Sequence, residues 1–300
     1  MYTGFICVLC GNNTASFVNN LWDDDKRWAV CCDSCGHIQM TPLPTIDEDN
    51  AFYQSNAMHR LLTPESMRSD SDLMYRQEPY GVSQADWTCR FLQPELSIFE
   101  IGSGYGWFIQ KMKEKGFQRI DGVELSDNKR EMVRSRASVD LFGFNLLTEQ
   151  CPSEVEHNYD ALCIFHLLEH VPDPVLFLKK AAICLKASGK LIVEVPNVDD
   201  FLKQECSEYN DFMYVRAHVS YFSVKTLIWT IQEAGFRNIK VFGKQIYSIE
   251  NAIHWMRNKK PFLASMQVEV PTCLEYVNKH YKSEQEKALT SDTLFATAEL

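Results

Sequence analysis

The sequence predicts an α/β fold, a doubly wound and mostly parallel sheet ending in an antiparallel hairpin, preceded by a small cysteine-bearing module. Three observations carry that expectation. Short apolar runs alternate with amphipathic stretches from residue 96 onward, a glycine-rich turn joins the first run to the first helix, and two C-x-x-C-G units stand ahead of both.

The N-terminal module comes first in the chain. Cys7-Val8-Leu9-Cys10-Gly11 is matched by Cys32-Asp33-Ser34-Cys35-Gly36, the second unit starting 21 residues after the end of the first. In each turn two thiolates converge on one ion, and the following glycine permits a left-handed conformation that lets backbone amides face the sulfurs. Two such knuckles complete a tetrahedral zinc site of Cys7, Cys10, Cys32 and Cys35. A redox C-x-x-C is normally single and opens a helix after a strand, which this pattern does not match. Four sulfurs leave no open coordination position, so the expected zinc is structural, and it contributes on the order of 10 kcal/mol to folding the module.

Thr41-Pro42-Leu43-Pro44 resists both helix and central strand and marks a linker, after which residues 51 to 95 are mostly helical in pattern. The core then runs Leu96 to Glu100 (strand), Trp107 to Lys115 (helix), Arg119 to Leu125 (strand) and Asn128 to Ala137 (helix). Further on, Tyr159 to Phe165 reads as a strand, Pro174 to Leu185 as a helix and Gly189 to Val195 as a strand. A helix ending at Gly235-Phe236, a strand at Lys240 to Phe242 and a last strand at Thr293 to Ala298 complete the pattern. The expected organisation is a zinc-binding module at 1–45, a helical linker or lid at 46–95 and the core at 96–245. A helical cap insertion at 246–290, carrying Trp255, Tyr276 and Tyr281, and a final core strand at 291–300 follow.

Composition narrows the partners. A net charge of −10 over 300 residues opposes non-specific affinity for phosphate backbones, so nucleic acid is not expected as a partner. Lys111, Lys113, Lys115, Arg119, Lys129, Arg130, Arg134 and Arg136 read as solvated helix faces. No apolar run reaches the roughly 18 residues that would span a bilayer, and Met1-Tyr2-Thr3-Gly4 lacks the pattern of a signal peptide, so the expectation is a cytoplasmic protein without a membrane partner. Scattered cysteines such as Cys163 and Cys184 read as small buried hydrophobes.

The chemistry concentrates at the first turn of the core, Phe99-Glu100-Ile101-Gly102-Ser103-Gly104-Tyr105-Gly106. Glycines there let the backbone approach a ligand closely, and the open amides of the following helix favour polar or negative groups. Glu124 closes the second strand 22 residues after Gly102, where a carboxylate accepts from ribose hydroxyls. The dinucleotide fingerprint needs a small residue at position 107; Trp107 stands there instead and disfavours a nicotinamide dinucleotide.

Glu-x-Gly-x-Gly-x-Gly resembles motif I of class I S-adenosylmethionine-dependent methyltransferases. Residues 160–174, DALCIFHLLEHVPDP, resemble the family's fourth-strand motif and residues 189–197, GKLIVEVPN, its fifth strand. The resemblance implies a Rossmann-like methyltransferase sheet and S-adenosylmethionine bound by Glu100, Gly102, Ser103, Gly104, Glu124 and Leu125, with Asn145 and Leu146 near adenine. It also implies that Phe165 and His166 lie beside the methionine portion and face the substrate.

The four-cysteine module, the cofactor core, residues 218–223 (HVSYFS) and a C-terminal extension together resemble sugar C-methyltransferases acting on nucleotide-linked ketosugars. That resemblance implies a small-molecule substrate, a nucleotide-linked sugar or glycan precursor, with His218 as base; His166 and Tyr214 are further catalytic candidates, and His170 reads as a helix-start residue bonded to backbone. Ala217 and Val215 replace the family's glutamate and tyrosine, so carbon and oxygen methylation both stay open, and His218 is expected near its ordinary pKa of about 6.5. The alternative is a zinc-ribbon adaptor whose methyltransferase-like domain is catalytically inactive; intact glycines and Glu124 argue against it.

Overall fold

The computed structural model describes residues 5–45, 48, 52, 74–261 and 271–300, so of the helical linker or lid expected at 46–95 nearly all of 46–73 lies outside the described residues. Near the N-terminus β1 (Ala15–Leu21), β2 (Asp24–Cys32) and β3 (Ile38–Thr41) form an antiparallel meander. Its fourth strand, β8 (Ser220–Tyr221), comes from nearly two hundred residues away and pairs with β3 through Ile38↔Tyr221 and Gln39↔Ser220.

The larger sheet has six strands. β4 (Ile98–Ile101), β5 (Ile120–Val123), β6 (Tyr159–Phe165) and β7 (Leu185–Pro196) run parallel, and β9 (Arg237–Lys244) and β10 (Thr293–Glu299) close it in the order β5-β4-β6-β7-β10-β9. β10 is antiparallel to both neighbours, giving the expected final hairpin. Helices α1 (Glu78–Thr88), α2 (Trp107–Glu114), α3 (Asp127–Ala137), α4 (Pro174–Ala181) and α7 (Val224–Glu233) cover the two faces. All four residues of β4 are buried, as a strand covered on both faces requires. Phe99, Leu162, Ile164, Leu191 and Val193 fill one layer; Ile98, Ala161, Cys163, Phe165, Ile192 and Phe295 fill the other. Cys163 and Cys184 are fully buried in these layers.

The structure moves several boundaries, most of all between the fourth helix and β7, and β9 spans Arg237–Lys244 rather than 240–242. α4 stops at Ala181 rather than Leu185, a short 3₁₀ turn covers Ala182–Cys184, and β7 already begins at Leu185, which pairs with Tyr159. The Ile183 and Cys184 carbonyls accept from His157 N and Asn158 N at 2.7 and 3.1 Å, bonds made to a neighbouring loop rather than within a helix.

Between β7 and β8 lie the short helices α5 (Phe201–Glu205) and α6 (Ser207–Phe212); between β9 and β10 lie α8 (Ile249–Asn258) and α9 (Glu275–Ala288). Leu202, Cys206, Tyr209, Ala252 and Trp255 form a small separate core there. Trp255 is therefore packed against Tyr209 and Phe212, Tyr281 packs on Phe201, and Tyr276 is exposed. No helix among the described residues is long and apolar enough to cross a membrane.

Candidate active site and cysteine cluster

The turn after β4 owes its shape to its three glycines. Gly102, Gly104 and Gly106 have φ of 78°, 53° and 70°, all in the left-handed region that glycine enters without strain. Gly106 also begins α2 against Val133, whose Cγ2 would stand 2.7 Å from an added Cβ. Glu124 reaches back across the turn: its Oε2 accepts from Gly104 N and its Oε1 from Ser126 N, both at 2.9 Å. Beneath the turn Glu100 is buried, and its Oε2 has no protein hydrogen-bond partner. Burial pushes the Glu100 carboxyl up to about 8; Ser103 works against that rise and the Glu124 charge adds to it. A buried carboxylate oxygen without a partner costs free energy until a donor arrives, and the ammonium and hydroxyls of S-adenosylmethionine are donors of the required kind. The residues at this turn therefore fit that cofactor.

The other residues expected to line the cofactor are spread along neighbouring loops. Leu125 is exposed just past Glu124, while Phe165 is buried against Phe108. The chain returns to the sheet edge at Phe142, which bridges Val123, and Asn145 and Leu146 follow; Asn145 Oδ1 accepts from Leu147 N at 2.9 Å, and Leu146 is buried.

At the carboxyl ends of β6 and β7 a chain of buried charge runs through the fold. Lys244 on β9 pairs with Glu194 on β7, reaching over Phe295 of the intervening β10. Glu194 Oε1 lies 2.9 Å from His166 Nε2, and His166 Nδ1 lies 3.4 Å from Glu169 Oε1. Burial alone would discharge His166, but the two carboxylates hold it up to about 10, so it is an imidazolium. Its φ of 47° is the left-handed conformation uncommon outside glycine, the kind of strain that accumulates at functional sites. Burial opposes ionisation of Glu194 as well, yet Lys244 and His166 bring it down to about 2.

His218 lies on the far side of Glu169. The Glu169 carbonyl accepts from Val219 N at 2.8 Å, His170 Nδ1 donates to Ala217 O at 2.7 Å, and the His170 and His218 rings are 5.1 Å apart. His218 is buried, and burial first, then the neighbouring His170, lowers its pKa to about 3 despite the Glu169 charge. This corrects the expectation of an ordinary value: the lost neighbour at Ala217 matters less than desolvation. A small depression with room for about one water molecule opens beside it, lined by Pro196, Asn197, Lys203, His218, Ser220 and Tyr221 among others. Tyr214 does not line it; its hydroxyl accepts from Lys203 Nζ at 3.3 Å and its ring packs on Tyr221.

The N-terminal sulfurs come together as the spacing predicts. Cys7 Sγ is 3.6 Å from Cys35 Sγ, Cys10 Sγ is 3.6 Å from Cys32 Sγ, and all four lie within 4.8 Å of one another. A tetrahedron with zinc–sulfur bonds of about 2.3 Å separates its sulfurs by about 3.8 Å, so the set fits that ion. Gly11 and Gly36 follow the second cysteine of each knuckle with φ of 71° and 77° and donate to Cys7 O and Cys32 O at 2.9 Å. The module is tied to the His218 segment: Met40 N donates to Val219 O at 2.9 Å, Arg216 N to Asp23 Oδ1 at 2.8 Å, and buried His37 Nε2 lies 3.2 Å from Ser220 Oγ.

Sequence reasoning did not single out Glu169, Glu194, Lys203 or Lys244 as site residues. Glu194 carried a signal, a lone acid inside an apolar run, whereas Lys203 and Lys244 look like ordinary solvated lysines until the fold buries them.

Comparison with known proteins agrees with this geometry. A ubiquinone biosynthesis O-methyltransferase of Idiomarina loihiensis is 28% identical over 107 residues, 33% of this chain and 42% of that protein. An uncharacterized protein of Methanocaldococcus jannaschii is 28% identical over 147 residues, covering 49% and 67% of the two chains. The chain thus spans about two fifths of the length of the ubiquinone-pathway relatives it matches. Among solved structures, a methyltransferase of Thermotoga maritima described as a possible histamine N-methyltransferase superposes with a TM-score of 0.53 at 18% identity, over 83% of this chain and 98% of that one, which speaks for the fold. A family model described as a methyltransferase domain matches residues 74–241, more than half of the chain, from α1 into β9. The chain belongs to the class I S-adenosylmethionine-dependent methyltransferase family.

Proposed function

We propose that the protein transfers the methyl group of S-adenosylmethionine to a small molecule, a nucleotide-linked sugar or glycan precursor. The observation that carries the cofactor half is Glu100, buried under a turn of three left-handed glycines with one carboxylate oxygen lacking a partner. When bound, the cofactor supplies an electrophilic methyl on a good leaving group. What remains for the protein is to position the acceptor and remove its proton, contributions of about 7–11 kcal/mol and 10²–10⁴-fold respectively.

His218 is the base in this reading. It borders the depression at the ends of the parallel strands, where ligands of open α/β sheets bind; its low pKa keeps it neutral, so it takes the acceptor's proton in passing and hands it to solvent. His166, already protonated between Glu169 and Glu194, serves as a fixed positive charge. Cys7, Cys10, Cys32 and Cys35 hold a structural zinc. Glu100, Gly102, Ser103, Gly104, Glu124, Leu125, Asn145, Leu146, Phe165 and His166 surround the cofactor, and Tyr214 supports the acceptor side through Lys203.

Calorimetry tests the reading. S-adenosylmethionine binds at submillimolar concentration and nicotinamide dinucleotide does not; Glu124→Ala weakens the first at least about tenfold, the scale of one charge-assisted hydrogen bond pair. Unchanged affinity in that variant refutes the cofactor register. The pH profile of kcat/KM shows no acidic limb near 6.5, because His218 stays neutral down to about 3.

A further inference from the structure

Lys203 is a lysine with no carboxylate counter-ion on a site wall. Its Nζ donates to Tyr214 Oη at 3.3 Å and lies 4.4 Å from that ring's centroid, while no carboxylate comes within ion-pair distance of it among the described residues. The two nearest acids are otherwise engaged or set apart: Asp200 accepts from Leu202 N at 2.9 Å and from Tyr209 Oη at 2.7 Å, and Asp199 acts only through its charge. Tyr214 and His218 are the other titratable groups facing it. Lys203 and His218 line the same depression, with Asn197 and Ser220 between β7 and β8. An ammonium carries three donors, and the tyrosine takes one.

We propose that Lys203 and His218 form a subsite for the acceptor's ionisable oxygen, a hydroxyl of enol or phenol type that becomes an oxyanion in the reaction. The depression has room for about one water-sized group, so it takes a single oxygen of the acceptor and not a nucleotide. His218 takes the proton as the O–H bond breaks, and Lys203 pairs with the oxyanion left behind. The methyl carbon then bonds to that oxygen, or to the adjacent carbon of the enolate, as its bond to the sulfonium breaks; the sulfur leaves as a neutral thioether and His218, which does not hold the proton, passes it to solvent. Charge and atoms balance without a further reactant. Burial, offset in part by Asp200 and Asp199, lowers Lys203 to about 8, and its charge is one of those that hold His218 neutral.

This inference rests on the proposed methyl transfer, and the test separates the two. The full chain is saturated with S-adenosylhomocysteine and titrated with 4-nitrophenol, whose ionised form is read by absorbance. The bound phenol is expected to titrate about one pH unit or more lower than the free one, as an adjacent opposite charge produces. Lys203→Met abolishes that shift and Lys203→Arg keeps it, with S-adenosylhomocysteine affinity by calorimetry unchanged in both. A shift that persists in Lys203→Met, or no binding by the wild type, overturns the subsite. Failure of the wild type to bind S-adenosylhomocysteine overturns the methyltransferase reading instead.

Discussion

The two sheets of this protein are stabilised by different means. The six-stranded sheet buries apolar side chains in continuous layers on both faces, from Phe99 and Ile164 on one side to Ile98 and Phe295 on the other. The four-stranded sheet has three small clusters instead: Phe5, Cys7, Val30 and Cys32 around the sulfurs, Leu21, Met40 and Val219, and Ala29, Tyr214 and Tyr221. Clusters that small do not by themselves offset the entropy of ordering some forty residues. Metal is the usual substitute, and the lesson is that the two sheets should fail independently except along the segment 212–221, where Trp22, Asp23, His37, Met40 and β3 hold on to it.

Removing the proposed zinc ligands should have the largest effect. Cys32→Ser, or chelation of the wild type, is expected to abolish amide protection in β1–β3, given metal contributions on the order of 10 kcal/mol. Turnover should fall at least about tenfold because β3 holds the strand beside His218, while S-adenosylhomocysteine affinity stays within about twofold. Hydrogen exchange and calorimetry on one sample check both, and a metal-free module with protected strands contradicts the comparison.

A smaller loss, inside the larger sheet, should follow from Lys244→Met. Both Lys244 and Glu194 are almost fully buried, so truncating the lysine leaves a buried carboxylate balanced only by His166, at a cost of about 3–5 kcal/mol. Replacing Glu194 as well, with leucine, should recover part of it; denaturant titration of the single and double variants measures the difference. The smallest effect is that of pH on His166. Its folded value, about 10, lies above the ordinary 6.5, so the stability its charge provides is complete below 6.5 and is lost as pH rises through about 10. His166→Gln should flatten that alkaline decline in thermal unfolding without altering β1–β3 protection.

How far the sequence spoke for each region follows the same division. The knuckles and the glycine turn are local patterns: Cys7 to Cys10 and Gly102 to Gly106 fix their geometry within a few residues, so the fold class, the sulfur cluster and the glycine turn could be read directly. The β3–β8 pairing joins Ile38 to Tyr221, and Lys244 meets Glu194 only because β10 separates β9 from β7. Neither contact leaves a trace in spacing, since each depends on strand order. The pKa of His218 was missed for a related reason: its value is set by burial beneath β8 and beside His170, not by its sequence neighbours.

The most direct measurement follows label from methyl-labelled S-adenosylmethionine into a panel of nucleotide-linked sugars, with wild type and His218→Ala side by side. The account predicts incorporation by the wild type and a rate at least about a hundredfold lower in the variant, the lower end of a base's contribution. Label transferred at the wild-type rate by His218→Ala, or to no member of the panel, would contradict it.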